Sequence, residues 1–187
     1  MLGIVCDCHN TLVNSNEAWI NAFTDYAGED KRNNITLDLY KRRMKRCNIA
    51  YKYGVDLDCV TERANKYTAV NQPLKKLLCT MKAMGMPLFV VSNAPYAKVM
   101  NDLKNVKISN LFDKIYAKEN GGKKNSAIFD EIIEEYELDM LLFIGNEEFD
   151  DNIVHPKVVS TALTSFLLKR FLIVRDYKFD NIEHIDG

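Results

Sequence analysis

Leu2-Gly3-Ile4-Val5-Cys6-Asp7-Cys8-His9-Asn10-Thr11-Leu12 is the stretch on which the fold turns. Its first five residues carry no polar side chain, the pattern of a parallel strand buried on both faces. The run then ends on a carboxylate and passes at once into small polar residues. An acid so placed stands at the carboxyl edge of a sheet, where open α/β sheets bind their ligands. Taken alone, such an aspartate is equally a turn acid that satisfies neighbouring backbone N–H groups.

The same arrangement recurs along the chain. Pro87-Leu88-Phe89-Val90-Val91 leads into Ser92-Asn93, and Met140-Leu141-Leu142-Phe143-Ile144 leads into Gly145-Asn146-Glu147-Glu148-Phe149-Asp150-Asp151. Ile115-Tyr116-Ala117 is a short strand candidate. Helical spacing separates these runs. Pro73 starts a helix through Leu74, Leu77, Leu78 and Met81 that Gly85 ends. Residues 96–104 read as a helix, and Asn125 or Ser126 caps another with Ile128, Phe129, Ile132 and Ile133 on its apolar side. A helix over 157–168 and a strand over 171–174 are expected to follow. Alternation of this kind predicts an α/β fold: a Rossmann-like three-layer αβα parallel sheet.

Residues 14–72 interrupt the alternation. Asn14 with Glu17 approximates a capping box ahead of Trp19, Ile20 and Phe23. Gly28 to Asn34 is polar and reads as a loop. Leu37, Tyr40, Met44, Cys47 and Tyr51 predict one helix over 37–51, which Gly54 breaks, and a further helix runs over 58–68. The expected organisation is a core of residues 1–13 and 73–187 with a small helical insert at 14–72. Within the insert, Lys41-Arg42-Arg43-Met44-Lys45-Arg46 holds five cations in six positions. That run is either the solvated face of an amphipathic helix or a basic face for a phosphorylated ligand.

Composition narrows the function classes. A net charge of −1 gives no whole-molecule field toward nucleic acid or a membrane, so nucleic acid is not expected as a partner. No apolar window is long enough for a membrane span, and Met1–Cys6 lacks the basic leader of a signal peptide. The five cysteines are an odd number without framework spacing, and Cys6-x-Cys8 is too tight for a zinc pair; a cytoplasmic protein is expected. With three histidines and no His-x-x-x-His, a zinc hydrolase is not expected. Gly121-Gly122-Lys123-Lys124 follows no strong strand and is not a phosphate loop.

Asp7, Ser92, Lys123 and the acidic loop after Gly145, in that order, resemble the four motifs of the haloacid dehalogenase superfamily over residues 1–13 and about 73–175. The resemblance implies that Asp7 is a nucleophile forming an aspartyl-phosphate. It implies that Ser92 holds a phosphoryl oxygen and that Lys123 offsets the charge of both; Lys118 is a second candidate for that slot. His9 stands where the family has a second aspartate, the general acid and base. Imidazole can do either task at neutral pH, and restoring a carboxylate by His9→Asp is expected to raise the rate or shift its pH optimum lower. Asn10 replaces a glycine and tolerates a left-handed backbone. Asp7, the His9 carbonyl, Asn146 in place of an aspartate, and Asp150 are the implied ligands of Mg²⁺. Thr11, Asn10, Asn93 and Arg43 are the candidate substrate-binding residues, and the implied partner is a small phosphorylated substrate. Three functions stay open: a Mg²⁺-dependent phosphatase, a member without turnover that acts as a binding or structural partner, and metal-independent dehalogenase-like hydrolysis. Oligomeric state is not readable from the sequence.

Overall fold

The computed structural model describes residues 1–146, 153 and 155–163. Among these residues five strands form one parallel sheet: β1 (Leu2–Cys6), β2 (Leu88–Val91), β3 (Lys114–Tyr116), β4 (Met140–Gly145) and β5 (Val158–Ala162), in the order β3-β2-β1-β4-β5. The centre of the sheet is β1, with Ile4 beside Leu88 and Leu142. Side chains alternate between two faces, as the pleat requires. Ile4, Cys6, Leu88, Val90 and Ile144 share one apolar cluster with α5 (Gln72–Ala83) and α6 (Tyr96–Asn105). Val5, Phe89, Val91 and Phe143 share another with Phe129 and Ile132 of α7 (Ala127–Glu135). The fold is thus the expected three-layer αβα arrangement. At the start of α5, Asn71 accepts the Leu74 N–H at 3.1 Å with Pro73 in the first turn.

Between β1 and α5 the elements are helical: α1 (Ser15–Ala27), α2 (Arg32–Tyr40), α3 (Arg46–Tyr53) and α4 (Leu57–Tyr67). They enclose an apolar cluster of their own around Trp19, Phe23, Ile35, Ile49 and Val60. Among the described residues no helix is long and apolar enough to cross a membrane.

Four local expectations are corrected. The polar stretch 28–34 is a short 3₁₀ turn, Glu29–Lys31, that runs into α2. The single helix over 37–51 is two helices, and the basic run lies mostly in the turn between them. The cause is Asp38, fully buried, whose carboxylate takes Arg42 at 2.6 Å, Lys52 at 2.6 Å and the Tyr53 hydroxyl at 2.8 Å. Wrapping those donors around one acid requires the chain to turn, and the Met44 N–H closes the turn onto the Asp38 carbonyl. Asn14 does not cap α1 with its side chain; its Oδ1 takes the Ala69 N–H, and Asn10 caps instead, accepting the Asn16 N–H at 2.7 Å. Finally, the helix expected over 157–168 begins as β5, because the run Val158-Val159-Ser160-Thr161, β-branched at Val158, Val159 and Thr161, pairs with β4. The strand expected at 171–174 lies outside the described residues.

Candidate active site

The carboxyl ends of three neighbouring strands carry Asp7, Ser92 and Asn146. The Asp7 N–H donates to the Ile144 carbonyl and the Ser92 N–H to the Tyr116 carbonyl, which extends the ladder one residue past the strands and fixes where both side chains start. Asp7 and Lys123 are both buried, with Lys123 Nζ 3.0 Å from Asp7 Oδ2. The other carboxylate oxygen of Asp7 accepts the Cys8 N–H at 2.7 Å. Lys118 is exposed; of the two lysine candidates, Lys123 is the one that meets Asp7.

Lys123 is delivered by a tight loop. The Lys123 N–H donates to Asn93 Oδ1 at 3.0 Å, so the Asn93 side chain braces the lysine backbone. Gly122 precedes it at φ +61°, and a Cβ there would fall 2.5 Å from Asn93 Oδ1. Only glycine allows both the left-handed backbone and that approach. Ser92 Oγ, buried beside this loop, accepts the Ala94 N–H at 3.3 Å.

His9 is held by a residue that sequence reasoning missed. Its Nε2 lies 2.8 Å from Oδ2 of Asp102, a buried acid on α6 whose other oxygen takes Lys98 Nζ at 2.6 Å. Burial pushes the Asp102 carboxyl up, but hydrogen bonds from His9 and Lys98 outweigh it and hold the group below the usual carboxylate range. The available signal was an acid between Val99 and Leu103 on the apolar side of a helix, a place that demands partners. Burial, reinforced by the adjacent Asp7 charge, pushes the Cys6 and Cys8 thiols far up, so neither is a thiolate nucleophile.

Asn10 adopts the left-handed backbone at φ +61°, and its Oδ1 serves the start of α1. Thr11 Oγ1 and Asn146 Oδ1 are buried and have no hydrogen-bond partner among the described residues. Asp150 lies outside the described residues. Among the described residues no three His, Cys, Asp or Glu side chains cluster as metal ligands. The oxygen donors here are the Asp7 carboxylate, the His9 carbonyl and the Asn146 amide, which are hard ligands of the kind magnesium takes. The orphaned Asn146 oxygen fits such a role.

Beside this centre, between the helices after β1 and the start of α6, is a cavity of about 300 Å³ bordered by His9, Asn16, Trp19, Arg46, Asn65 and Lys98. Arg46 lies with its guanidinium carbon 4.3 Å from the Trp19 ring centroid. Arg43 does not border this cavity; it lines an adjoining, more open groove with Leu39 and Met44 that shares Asn16 and Arg46 with it.

Residues 4–153 match the family described as haloacid dehalogenase-like hydrolase. Among curated proteins no match was found. Solved structures with the same fold include a hydrolase from Streptococcus pneumoniae TIGR4, at 17% identity and TM-score 0.68, covering 91% of this chain and 97% of that one. A predicted phosphoglycolate phosphatase from Haemophilus somnus is 19% identical at TM-score 0.54, covering 84% and 83%. The L-2-haloacid dehalogenase from Xanthobacter autotrophicus is 17% identical at TM-score 0.58, covering 80% and 72%.

Proposed function

Since the chain belongs to the haloacid dehalogenase-like hydrolases, we propose that it is a Mg²⁺-dependent phosphatase acting on a small phosphomonoester through an aspartyl-phosphate on Asp7. The observation that carries this reading is the buried Asp7–Lys123 pair at 3.0 Å, at the edge where Ser92 also ends a strand. A buried carboxylate paired with a lysine, beside a hydroxyl, is a site where the carboxylate can attack phosphorus while the cation and the hydroxyl offset the charge of the phosphoryl oxygens. The predicted phosphoglycolate phosphatase among the structural neighbours is consistent with this chemistry. In this reading residues 14–72 are a cap over the site, and the protein works in the cytoplasm.

An Asp7 carboxylate oxygen attacks phosphorus, the bond from phosphorus to the ester oxygen breaks, and the leaving alkoxide takes a proton from His9. Asp102 occupies His9 Nε2, which leaves Nδ1 as the ring atom that gives this proton. Water then attacks phosphorus, His9 Nδ1 takes back a proton, and orthophosphate leaves with the Asp7 carboxylate restored. Lys123 and Ser92 hold the phosphoryl oxygens throughout. Asp7, the His9 carbonyl, Asn146 and Asp150 would hold Mg²⁺, which when bound withdraws charge from the phosphoryl group.

A second reading, metal-independent hydrolysis by the same carboxylate, draws on His9 and Asn146, which stand where the family has acids. The two are separated by a phosphoester panel and 2-haloacids assayed with and without Mg²⁺ in wild type and Asp7→Asn. The phosphatase reading expects phosphate release that needs Mg²⁺ and disappears in Asp7→Asn. Halide release without metal would favour the second. No activity above Asp7→Asn on either class would leave a binding role.

A further inference from the structure

The cavity beside His9 is built of two halves. α1 and α3 supply Asn16, Trp19 and Arg46; α4 and α6 supply Asn65 and Lys98. Among the described residues no carboxylate borders it. This is a local excess of cations in a chain whose net charge is −1. The two cations are not equivalent. Lys98 is spent on Asp102 at 2.6 Å, whereas Arg46 has no carboxylate partner among the described residues.

Arg46 is nonetheless held in place. Its guanidinium carbon lies over the Trp19 ring, 4.3 Å from the centroid, an attraction of cation to ring face that restrains the group. Partial desolvation holds the group below its ordinary value, against the distant pull of Asp102. A guanidinium that is restrained, partly stripped of water and not neutralised by an acid gains most from a ligand anion. Arginine meets carboxylates and phosphates through two parallel hydrogen bonds. The amides of Asn10, Asn16 and Asn65 and the hydroxyls of Ser15 and Thr68 line the rest of the cavity together with the apolar Ala64, Ala94 and Pro95, a mixture suited to a hydroxylated carbon chain. The cavity volume of about 300 Å³, at roughly 30 Å³ for each water-sized group, admits about ten such groups.

We propose that Arg46, stacked on Trp19, is the specificity residue of this site, and that the leaving-group portion of the substrate is a short hydroxylated chain ending in a second anionic group, a carboxylate or a phosphate. The inference rests on the phosphatase reading for the position of the phosphoryl group, but occupancy of this cavity can be measured without turnover.

Trp19 is the only tryptophan of the chain, so its fluorescence reports the cavity. The Asp7→Asn protein is titrated with glycerate, glycerol 3-phosphate and glycerol, following fluorescence and heat. Saturable binding of at least one anion is expected, with glycerol at least tenfold weaker; the stronger of the two anions identifies the terminal group. A charge-assisted contact to arginine corresponds to roughly 10- to 100-fold in affinity. Arg46→Met should lose that much for the anion and leave glycerol unchanged, and Arg46→Lys should recover part of it. Equal binding of glycerol, no saturable binding of either anion, or an unchanged anion affinity in Arg46→Met overturns the proposal. Anion binding that follows Arg46 in a protein whose wild type has no phosphatase activity would instead sink the phosphatase reading and keep the site.

Discussion

Removing the charge of Lys123 while keeping its length is the sharpest perturbation of the site. Lys123→Met leaves the Asp7 carboxylate buried and without its cation. At 3.0 Å the attraction between the two charges is about 5–6 kcal/mol for an effective dielectric near 20. With the side chains only 9% and 8% exposed, solvent does little to screen the pair. Part of that attraction offsets the cost of burying both charges, and breaking such a pair by removing one partner costs about 3–5 kcal/mol. With a urea m-value of about 2 kcal/mol/M, the unfolding midpoint should fall by about 1.5–2.5 M. Methionine keeps an unbranched apolar stem of similar length while removing the ammonium, which lies 5.7 Å from the Phe143 ring centroid, so the loss reads the charge rather than the volume. The double variant Asp7→Asn/Lys123→Met should be more stable than the sum of the single losses predicts, by about 1–3 kcal/mol. A midpoint shift below about 0.5 M, together with additive single losses, would refute the reasoning that this pair is a coupled buried charge pair.

Gly122→Ala should destabilise by about 1–3 kcal/mol, the cost of a left-handed backbone without glycine; it should also loosen Lys123, because the added carbon meets Asn93 Oδ1. Thermal melts and phosphate-release assays check both parts, and an unchanged melt would contradict the close approach. Burial pushes the Asp38 carboxyl up, but the Lys52, Tyr53 and Arg42 hydrogen bonds outweigh it and hold it below its ordinary value. It therefore contributes stability that is present above the unfolded value, about 4, and lost as pH falls through the lower folded value. Urea midpoints measured from pH 7 downward should show a steeper acid loss in wild type than in Asp38→Asn; equal slopes would contradict it. His9→Asp, expected from the sequence to raise the rate or lower its pH optimum, should also destabilise by about 1–3 kcal/mol, because Asp102 exchanges a donor for a like charge. Adding Asp102→Asn should restore part of the melt temperature, and no recovery would refute the contact.

The fold was legible because unbroken apolar runs ending in Asp7, Ser92 and Gly145-Asn146 can be read one strand at a time. Each such run needs burial on both faces, and the parallel sheet supplies it. Local features whose cause is distant were not legible. Nothing near Tyr40 marks a helix end; the end follows from Asp38 gathering Lys52 and Tyr53 from the next helix. Residues 158–162 have mixed exposure, so their period favours neither state until the β4 edge is known. At the site, Lys123 could be aligned from its motif, but its brace by Asn93 joins residues thirty positions apart. The His9–Asp102 contact spans 93 positions. Arg43 and Arg46 are indistinguishable in a basic run, and only the turn after α2 sets Arg46 over Trp19.

The central claim is that the Asp7 carboxylate itself becomes phosphorylated. Wild-type protein mixed with a turned-over phosphoester and Mg²⁺, quenched in acid within a single turnover and digested, should yield a peptide containing Asp7 that carries an acid-stable, base-labile phosphoryl group by mass spectrometry. The adduct should be absent from Asp7→Asn. Phosphate release with no adduct on that peptide, or an adduct on any other residue, would contradict the account.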